Sequence, residues 1–533
     1  MKNYIERLKV EFKDYNSQKL IKDMLAGLTV AAVALPLALA FGVSSGADAG
    51  AGLITAIVAG LLIGGLSGAS YQISGPTGAM SAILIGLSST YGLQAVFLAS
   101  FLSGIMLLIA SIFKFGKIVS FIPTSVITGF TSGIAIIIAG GQIDNFFGTV
   151  SKGSNLIEKV LSYFTLGFHV QLETLFFGLL VMLIMILWPK KLGNVFPSSL
   201  AGIIVALIIQ LVCHLDVAVV GEIPSTLFPE ARLSLAGIDY TTISQLIIPA
   251  LSIAMLGMIE SLLCGASAGK MKNEKIDADQ ELFAQGVGNM LIPFFGGVPA
   301  TAAIARTSVA IKAGGQTRLV SIFHSIVLLI SMFVLGPLMS QIPMSALAGV
   351  LMMTAWRMNE WPEIKTNITQ FLVTMIATVV FDLTVAIVIG VLISMILFVI
   401  NNSDLDIEMS DIDPQRVDKE LSYHHNDTKV VYLSGPIFFG SQNQIIQQVQ
   451  PIINETKSII FSMRGVPSID DSGIHELKEI YELCKASGTQ VLFVGVQKHL
   501  KDEMKRYHFV DEVGEDNFCW DVIAGLDKIE ANL

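Results

Sequence analysis

Two ionisable side chains stand inside long apolar runs of this 533-residue sequence. Arg306 lies in Ala305-Arg306-Thr307-Ser308, and Glu260 lies in Met258-Ile259-Glu260-Ser261-Leu262-Leu263. A charge at the centre of a bilayer costs at least ~3 kcal/mol on insertion scales, so each requires a partner or a task. Arg306 offers a fixed positive charge that can hold an anion. Glu260 can neutralise Arg306, carry a coupling proton or bind Na⁺, since a carboxylate in an apolar setting takes up a proton readily. A structural Arg306–Glu260 pair that merely locks the core is the plainer alternative.

Arg306 follows a break rich in Gly and Pro, Gly296-Gly297-Val298-Pro299-Ala300-Thr301. A matching break, Ser74-Gly75-Pro76-Thr77-Gly78, opens an earlier apolar run that is helical to about Ser88. In each, Gly permits an irregular approach, and Pro suits the first helical position, where its missing N–H costs nothing. The two helices that follow are expected to be of similar length, about 20 Å against a hydrocarbon core of ~30 Å. Each would start inside the membrane, with free N–H groups and the positive end of its dipole at the midplane. Such backbone is tolerated at depth only where it lines a cavity, and two facing N-termini make an anion site. One break alone reads equally well as a Gly/Pro kink; the matched pair favours the functional reading.

Composition places these breaks in lipid. The chain is 53% hydrophobic and 14% charged, against about 25% charged for a soluble protein. That excludes an ordinary cytosolic enzyme and a disordered chain. Residues 1–400 carry 21 Lys and Arg against 20 Asp and Glu, whereas residues 401–533 carry 12 against 23. The expected divisions are an amphipathic N-terminal segment (1–23), a membrane domain (24–400), a polar linker (401–427) and an acidic soluble domain (428–533). The acidity of the last argues against nucleic acid or an anionic lipid surface as its partner.

Apolar segments of membrane-spanning character number about fourteen, centred near Ala32, Val58, Ile83, Leu102, Ile134, Leu180, Ile204, Ala254, Val287, Ala305, Val327, Leu347, Thr374 and Val391. With a cytoplasmic N-terminus, seventeen Lys and Arg fall on the cytoplasmic side, among them Lys190, Lys191, Lys272, Arg318 and Lys365. Only Lys152, Lys159 and Arg232 fall outside. That bias places both termini in the cytoplasm. Fourteen divides into seven plus seven, and an odd number per half inverts the second half, so the two broken spans, third and tenth, correspond. Gly60, Gly64 and Gly68, and Gly129 with Gly133, read as helix-packing ridges. Cys213-His214 has no second pair to make a metal site, and no nucleotide fingerprint appears, which disfavours ATP-driven transport.

The run from Ala250 to Arg318 resembles the signature of the SulP sulfate permease family. It contains Glu260-Ser261-Leu262-Leu263, Gln280-Glu281-Leu282, Gln285-Gly286, Asn289, and Gly296 to Thr301 through Arg306-Thr307. Gly27 to Phe41, Ser74-Gly75-Pro76 and Pro123 to Gly133 fit the same family. The resemblance implies a polytopic helical fold of fourteen spans in a seven-plus-seven inverted repeat, with core and gate domains and elevator-like motion. It places the anion at Gly75, Thr77 and Gly78 and at Ala300, Thr301, Ala302 and Arg306, beside the aromatic ring of Phe41. It assigns cation coupling to Glu260. Two departures stand out: Leu37 follows Pro36 where many members have Gln, and Glu260 with Arg306 differs from the Asp-bearing, Arg-lacking sodium-coupled members. The second tilts the coupling ion toward H⁺ over Na⁺. The wording is closest to the bacterial branch that includes an aerobic C4-dicarboxylate transporter, which leaves sulfate, bicarbonate and succinate-like acids open.

In the tail, Lys429–Ser434, Ser458–Met463 and Gln490–Val496 read as strands, alternating with helices over 442–449, 474–486 and 499–507. This small α/β domain is similar to a STAS domain, with Gly435-Pro436-Ile437-Phe438-Phe439 in its first turn and Asp470-Asp471-Ser472-Gly473 before its long helix. Asp471 stands where regulatory STAS proteins carry a phosphorylatable residue, and Ser472 reads as a helix N-cap. The expected function is secondary active, proton-coupled anion transport across a bacterial inner membrane, not enzymatic catalysis. An uncoupled exchanger or channel, or a nucleobase-type permease on the same fold, is the alternative. Expected partners are a small inorganic or carboxylate anion, the bilayer, a second copy of the chain, and a cytoplasmic protein at the tail, but no nucleic acid. No cofactor other than the coupling ion is expected.

Overall fold

The structure is a computed structural model and describes residues 2–117, 123–153, 155–189, 196–235, 240–359, 368–381, 383–412, 427–441 and 443–531. Lys190, Lys191, Lys365 and most of the expected linker lie outside these residues. The chain divides into two compact units, Met1–Val391 and Leu392–Leu533.

The first unit is helical. Its elements are α1 (Lys2–Glu11), α2 (Ser17–Ser44), α3 (Ala49–Leu66), α4 (Gly78–Tyr91), α5 (Leu93–Ile112), α6 (Thr124–Gly141), α7 (Ile143–Phe147), α8 (Leu156–Leu166), α9 (Leu172–Leu187) and α10 (Ser198–Cys213). They continue with α11 (Tyr240–Lys272), α12 (Ala278–Leu291), α13 (Ile304–Lys312), α14 (Leu319–Met339), α15 (Met344–Met358), α16 (Ile368–Val380) and α17 (Leu383–Asn402), the last crossing the unit boundary. Each expected span centre falls in a helix of its own. Among the described residues, seven helical stretches are long and apolar enough to cross a membrane, and α4, α9, α10 and α16 are shorter apolar helices. Interruptions are local and chemical: the Asn16 side chain caps α2 at Lys19 N, and the Asp48 carboxylate caps α3 at Ala51 N at 2.6 Å.

Helices α2–α5 and α11–α14 pack chiefly with one another, and α6, α9, α10, α15 and α16 form a second set. Small residues set the closest approaches. A Cβ on Gly60 or Gly64 would come within 2.0–2.1 Å of the Ser325 and Ser321 hydroxyls of α14. One on Gly129 would lie 2.5 Å from Phe371 O of α16. These are packing ridges, as their spacing predicts.

Two short strands, β1 (Ser74–Gly75) and β2 (Thr301–Ala302), lead into α4 and α13 and pair antiparallel, Ser74 with Ala302 and Gly75 with Thr301. They correct the expected helix starts. Pro76 and Pro299 precede the N-caps Thr77 and Ala303 instead of occupying the first helical turn, because the approach is extended and paired. The expected equality of length also fails: α4 has 14 residues and α13 has 9, about 21 Å and 14 Å at ~1.5 Å per residue.

The second unit holds a five-stranded sheet in the order β3-β4-β5-β6-β7: β3 (Asp406–Asp411), β4 (Thr428–Ser434), β5 (Ser458–Gly465), β6 (Gln490–Val494) and β7 (Phe518–Cys519). The β3–β4 pair is antiparallel and the others are parallel. Helices α18 (Gln444–Ile453), α19 (Asp471–Ala486), α20 (Lys498–Arg506), α21 (Phe509–Val513) and α22 (Val522–Glu530) surround it. Alternate strand residues serve opposite faces: Val431, Phe461 and Phe493 pack toward Leu477 and Phe509, and Val430, Ile460 and Leu492 toward Leu526 and Ile529. Strand β3 falls in the stretch expected to be linker. Its acidic alternation hid it, and its pairing with β4 creates it. The cap of α19 is Asp470, whose Oδ1 accepts from Gly473 N at 2.9 Å. Ser472 is therefore not the N-cap; it lies one residue inside the helix, next to an exposed Asp471.

Candidate functional site

The paired strands bring the two breaks together, and α13 places Arg306 across the junction. Its side chain is 1% exposed. Nη2 donates to Pro76 O at 2.7 Å, while Nη1 has no hydrogen-bond partner. The guanidinium lies directly against Gly75, where a Cβ would stand 2.4 Å from Nη1. Only a residue without a side chain leaves that space. Gly78 is tight in the same way: a Cβ there would lie 2.4 Å from Ile138 Cδ1 and 3.1 Å from Phe41 Cε1. Phe41 is thus packed beside the first residue of α4, and it is 5% exposed.

Thr77 caps α4 through Met80 N at 3.4 Å, and its hydroxyl donates to Glu260 Oε2 at 2.9 Å. The half-buried Glu260 of α11 therefore leans on the first break. Arg306 takes part in no ion pair among the described residues, so the locking Arg306–Glu260 contact does not form. The guanidinium is held by a carbonyl and the carboxylate accepts from a threonine hydroxyl, and the guanidinium keeps bonding capacity in reserve.

The second break is buried and held from behind. Ala300, Thr301 and Ala302 are at most 2% exposed. The Thr301 hydroxyl meets Ser261 Oγ at 2.9 Å, and Ala302 N donates to Ser261 Oγ at 3.2 Å. Val298 is bracketed by Thr55 Oγ1, which accepts from its N–H at 2.7 Å and donates to its carbonyl at 3.0 Å. Thr307 Oγ1 accepts from Ile73 N at 3.1 Å, tying α13 to the residue just before β1. The Ala303 methyl offers no acceptor, so α13 starts without a side-chain cap.

Eight residues predicted at the site, Phe41, Gly75, Thr77, Gly78, Ala300, Thr301, Ala302 and Arg306, thus converge with Glu260 on one junction. Of these, Ala300 presents its backbone to Asn289. Residue-level reading missed Thr55, Ser261 and Thr307. Hydroxyls in apolar helices carry no spacing signal, and only the opposing backbone reveals their use. Asp471 and Ser472 lie in the other unit. Asp471 Oδ1 accepts from Ser472 N at 3.0 Å, a local contact within the first turn of α19.

The Sulfate permease family model matches residues 20–381, and the STAS domain model matches residues 421–523. Over 539 residues the chain is 34% identical to YvdB of Bacillus subtilis (strain 168), whose name makes it a candidate sulfate transporter, with 96% of this chain and 98% of that protein covered. It is 30% identical over 528 residues to the bicarbonate transporter BicA of Synechocystis sp., covering 94% and 92%. The solved transmembrane domain of a cyanobacterial BicA superposes with a TM-score of 0.64 at 28% identity, over 72% of this chain and 98% of that one. The murine anion transporter Slc26a9 in its inward-facing state shares the fold, with a TM-score of 0.83 at 18% identity over 98% and 93%. The chain belongs to the sulfate permease family: it is a membrane-embedded anion transporter, not an enzyme, and it carries a C-terminal STAS domain.

Proposed function

We propose that this protein is a secondary active, proton-coupled transporter of a small anion, bound between the N-termini of α4 and α13 and carried by movement of one helix set against the other. One observation carries this reading: a buried guanidinium held by a single carbonyl, with Nη1 unpartnered, at the meeting point of two helix starts. Helix N-termini and a fixed cation both stabilise negative charge, and in a site of low dielectric their effects are strong. Glu260, which accepts from the Thr77 hydroxyl, is the proton carrier. Protonation would let its carboxyl donate as well as accept, so the Thr77 contact and the local charge would change together. Na⁺ is the less favoured ion because one carboxylate with the Thr77 and Thr301 hydroxyls beside it provides fewer oxygens than a hard cation normally collects.

The relatives' names support sulfate and bicarbonate as substrates, and the branch resemblance adds C4-dicarboxylates. A divalent anion gains more from Arg306 and two dipoles than a monovalent one does. The separate packing of α2–α5 with α11–α14 and of α6, α9, α10, α15 and α16 supports an elevator-like shift of a core past a gate. Fourteen spans in two inverted halves, an inner bacterial membrane, cytoplasmic termini and a homodimer complete the reading. The STAS domain is proposed to bind a protein partner or a second copy of itself near Asp471 and Ser472.

Uptake into proteoliposomes of sulfate, bicarbonate, succinate and chloride, with and without inward pH and Na⁺ gradients, tests it. Concentrative uptake of one anion driven by the pH gradient is expected. Equilibration without accumulation under every gradient indicates an uncoupled exchanger or channel and overturns the coupling.

A further inference from the structure

Helix α12 belongs to neither break, yet three of its side chains grip the chain around both. Glu281, Gln285 and Asn289 recur at intervals of four and so share one helix face. All three are at most 1% exposed. Asn289 makes a two-point clamp on Ala300, the residue before β2: Nδ2 donates to Ala300 O at 2.9 Å and Oδ1 accepts from Ala300 N at 2.7 Å. One turn earlier, Gln285 Nε2 donates to the Ser74 hydroxyl at 3.1 Å, at the first residue of β1. The same nitrogen donates to Glu281 Oε1 at 2.9 Å, and Glu281 Oε2 accepts from Ser67 Oγ at 2.6 Å and from Gly68 N at 3.0 Å. Ser74 pairs with Ala302 across the two strands. One helix face therefore holds both strands at the point where their register is set.

We propose that Gln285 and Asn289 are positioning residues for the anion site: they fix the height of the two helix starts relative to each other, and so the anion affinity, without touching the anion. The geometry favours positioning over simple packing. Asn289 replaces both hydrogen bonds that a neighbouring strand would give Ala300, so its amide reads backbone position, and a hydrophobic residue of equal size cannot. The site depends on where N–H groups point, and displacements of about 1 Å at such a site are enough to weaken binding strongly. The inference rests on the anion site proposed above.

The test compares Asn289→Ala and Ser74→Ala with Ser100→Ala. Ser100 Oγ donates to Asn289 O at 3.1 Å and is fully buried, so its loss removes a bond to the same helix without releasing either strand. Affinity is measured by equilibrium binding of whichever of sulfate, bicarbonate or succinate the wild-type protein accumulates, and the thermal midpoint of the ligand-free protein is recorded alongside. Asn289→Ala is expected to weaken binding roughly tenfold and Ser74→Ala about threefold, with Ser100→Ala within twofold of wild type at a comparable drop in midpoint. Wild-type affinity in Asn289→Ala, or a loss that tracks the midpoint equally in all three variants, overturns the positioning role. Should Asn289→Ala fail to fold, Ser74→Ala decides alone, since it leaves α12 intact. Arg306→Ala separates the two levels: binding lost there but kept in Asn289→Ala and Ser74→Ala removes only the positioning role, whereas binding kept in Arg306→Ala removes the site itself.

Discussion

Helices α4 and α13 begin alike and are equipped differently. Each follows a two-residue strand, and the two strands pair with each other, so the backbones meet as near equivalents. Helix α4 has its own cap, Thr77, whose hydroxyl also engages Glu260. Helix α13 has no side-chain cap, is five residues shorter, and carries Arg306 in its first turn. That arginine reaches back to the other break, to Pro76 O and Gly75. The acid and the base of the site thus both lean on the α4 side, from two different helices. Two equivalent backbones supply dipoles of one sign; the unequal side chains supply a fixed charge and, in the proposed mechanism, a titrating one. Similar supports can in this way serve binding and coupling as separate tasks.

The largest expected effect removes the cation. Arg306→Ala leaves the dipoles in place but takes the full charge away, and loss of a buried charge-assisted contact is worth about 3 kcal/mol, or ~100-fold in affinity. Anion binding measured directly, not uptake alone, checks this. Undiminished binding would mean that the helix starts suffice and that Arg306 does not hold the anion. Glu260→Gln attacks the other side. It preserves shape and the acceptor for Thr77 but cannot exchange a proton. Binding is expected to stay within about threefold, while accumulation driven by the pH gradient disappears and counterflow of anion persists. Gradient-driven accumulation that survives in this variant removes Glu260 from coupling.

Gly75→Ala sharpens the point between them. The added methyl would stand 2.4 Å from Nη1, and the arginine tip, being the flexible partner, must yield. The fold is expected to survive and affinity to fall about tenfold, because the charge moves by about 1 Å while its presence is unchanged. Equal affinity in Gly75→Ala and wild type, by the same binding assay, would show that the guanidinium need not sit against the first break.

Much of this was legible because lipid writes strongly in sequence. Apolar runs long enough to be helical located fourteen separate helices, and Gly and Pro located both breaks. What failed was whatever depends on a partner distant in sequence. The strands at Ser74–Gly75 and Thr301–Ala302 are too short for any periodic signal and exist only through each other. Reading Pro299 as a helix start placed α13 several residues early. Arg306 was expected either to bind an anion or to pair with Glu260, and its bond to a backbone carbonyl is invisible in side-chain types. Strand β3 reads as linker because its acidic residues lack the β-branched character of its neighbours. The clamp by Asn289 has the same origin: its position in the family pattern was readable, but its use required Ala300 to be seen opposite it.

The smallest expected effect comes from making the two helices more alike. Ala303 is the N-cap of α13, with φ −112° and ψ 118°, a conformation that serine accepts. Ala303→Ser would give this helix the hydroxyl that Thr77 gives α4, bonding the N–H of Ala305 or Arg306. A cap of that kind stabilises by about 0.5–1 kcal/mol, so the thermal midpoint should rise slightly. The same hydroxyl occupies an N–H that the proposed anion would otherwise approach, and it puts an oxygen with partial negative charge at the mouth of the dipole. Stability and affinity should therefore move in opposite directions, with binding weakened about threefold. If the substitution stabilises the protein and leaves binding unchanged, the free N–H groups of α13 do not face the anion, and Arg306 alone gives that half of the site its attraction.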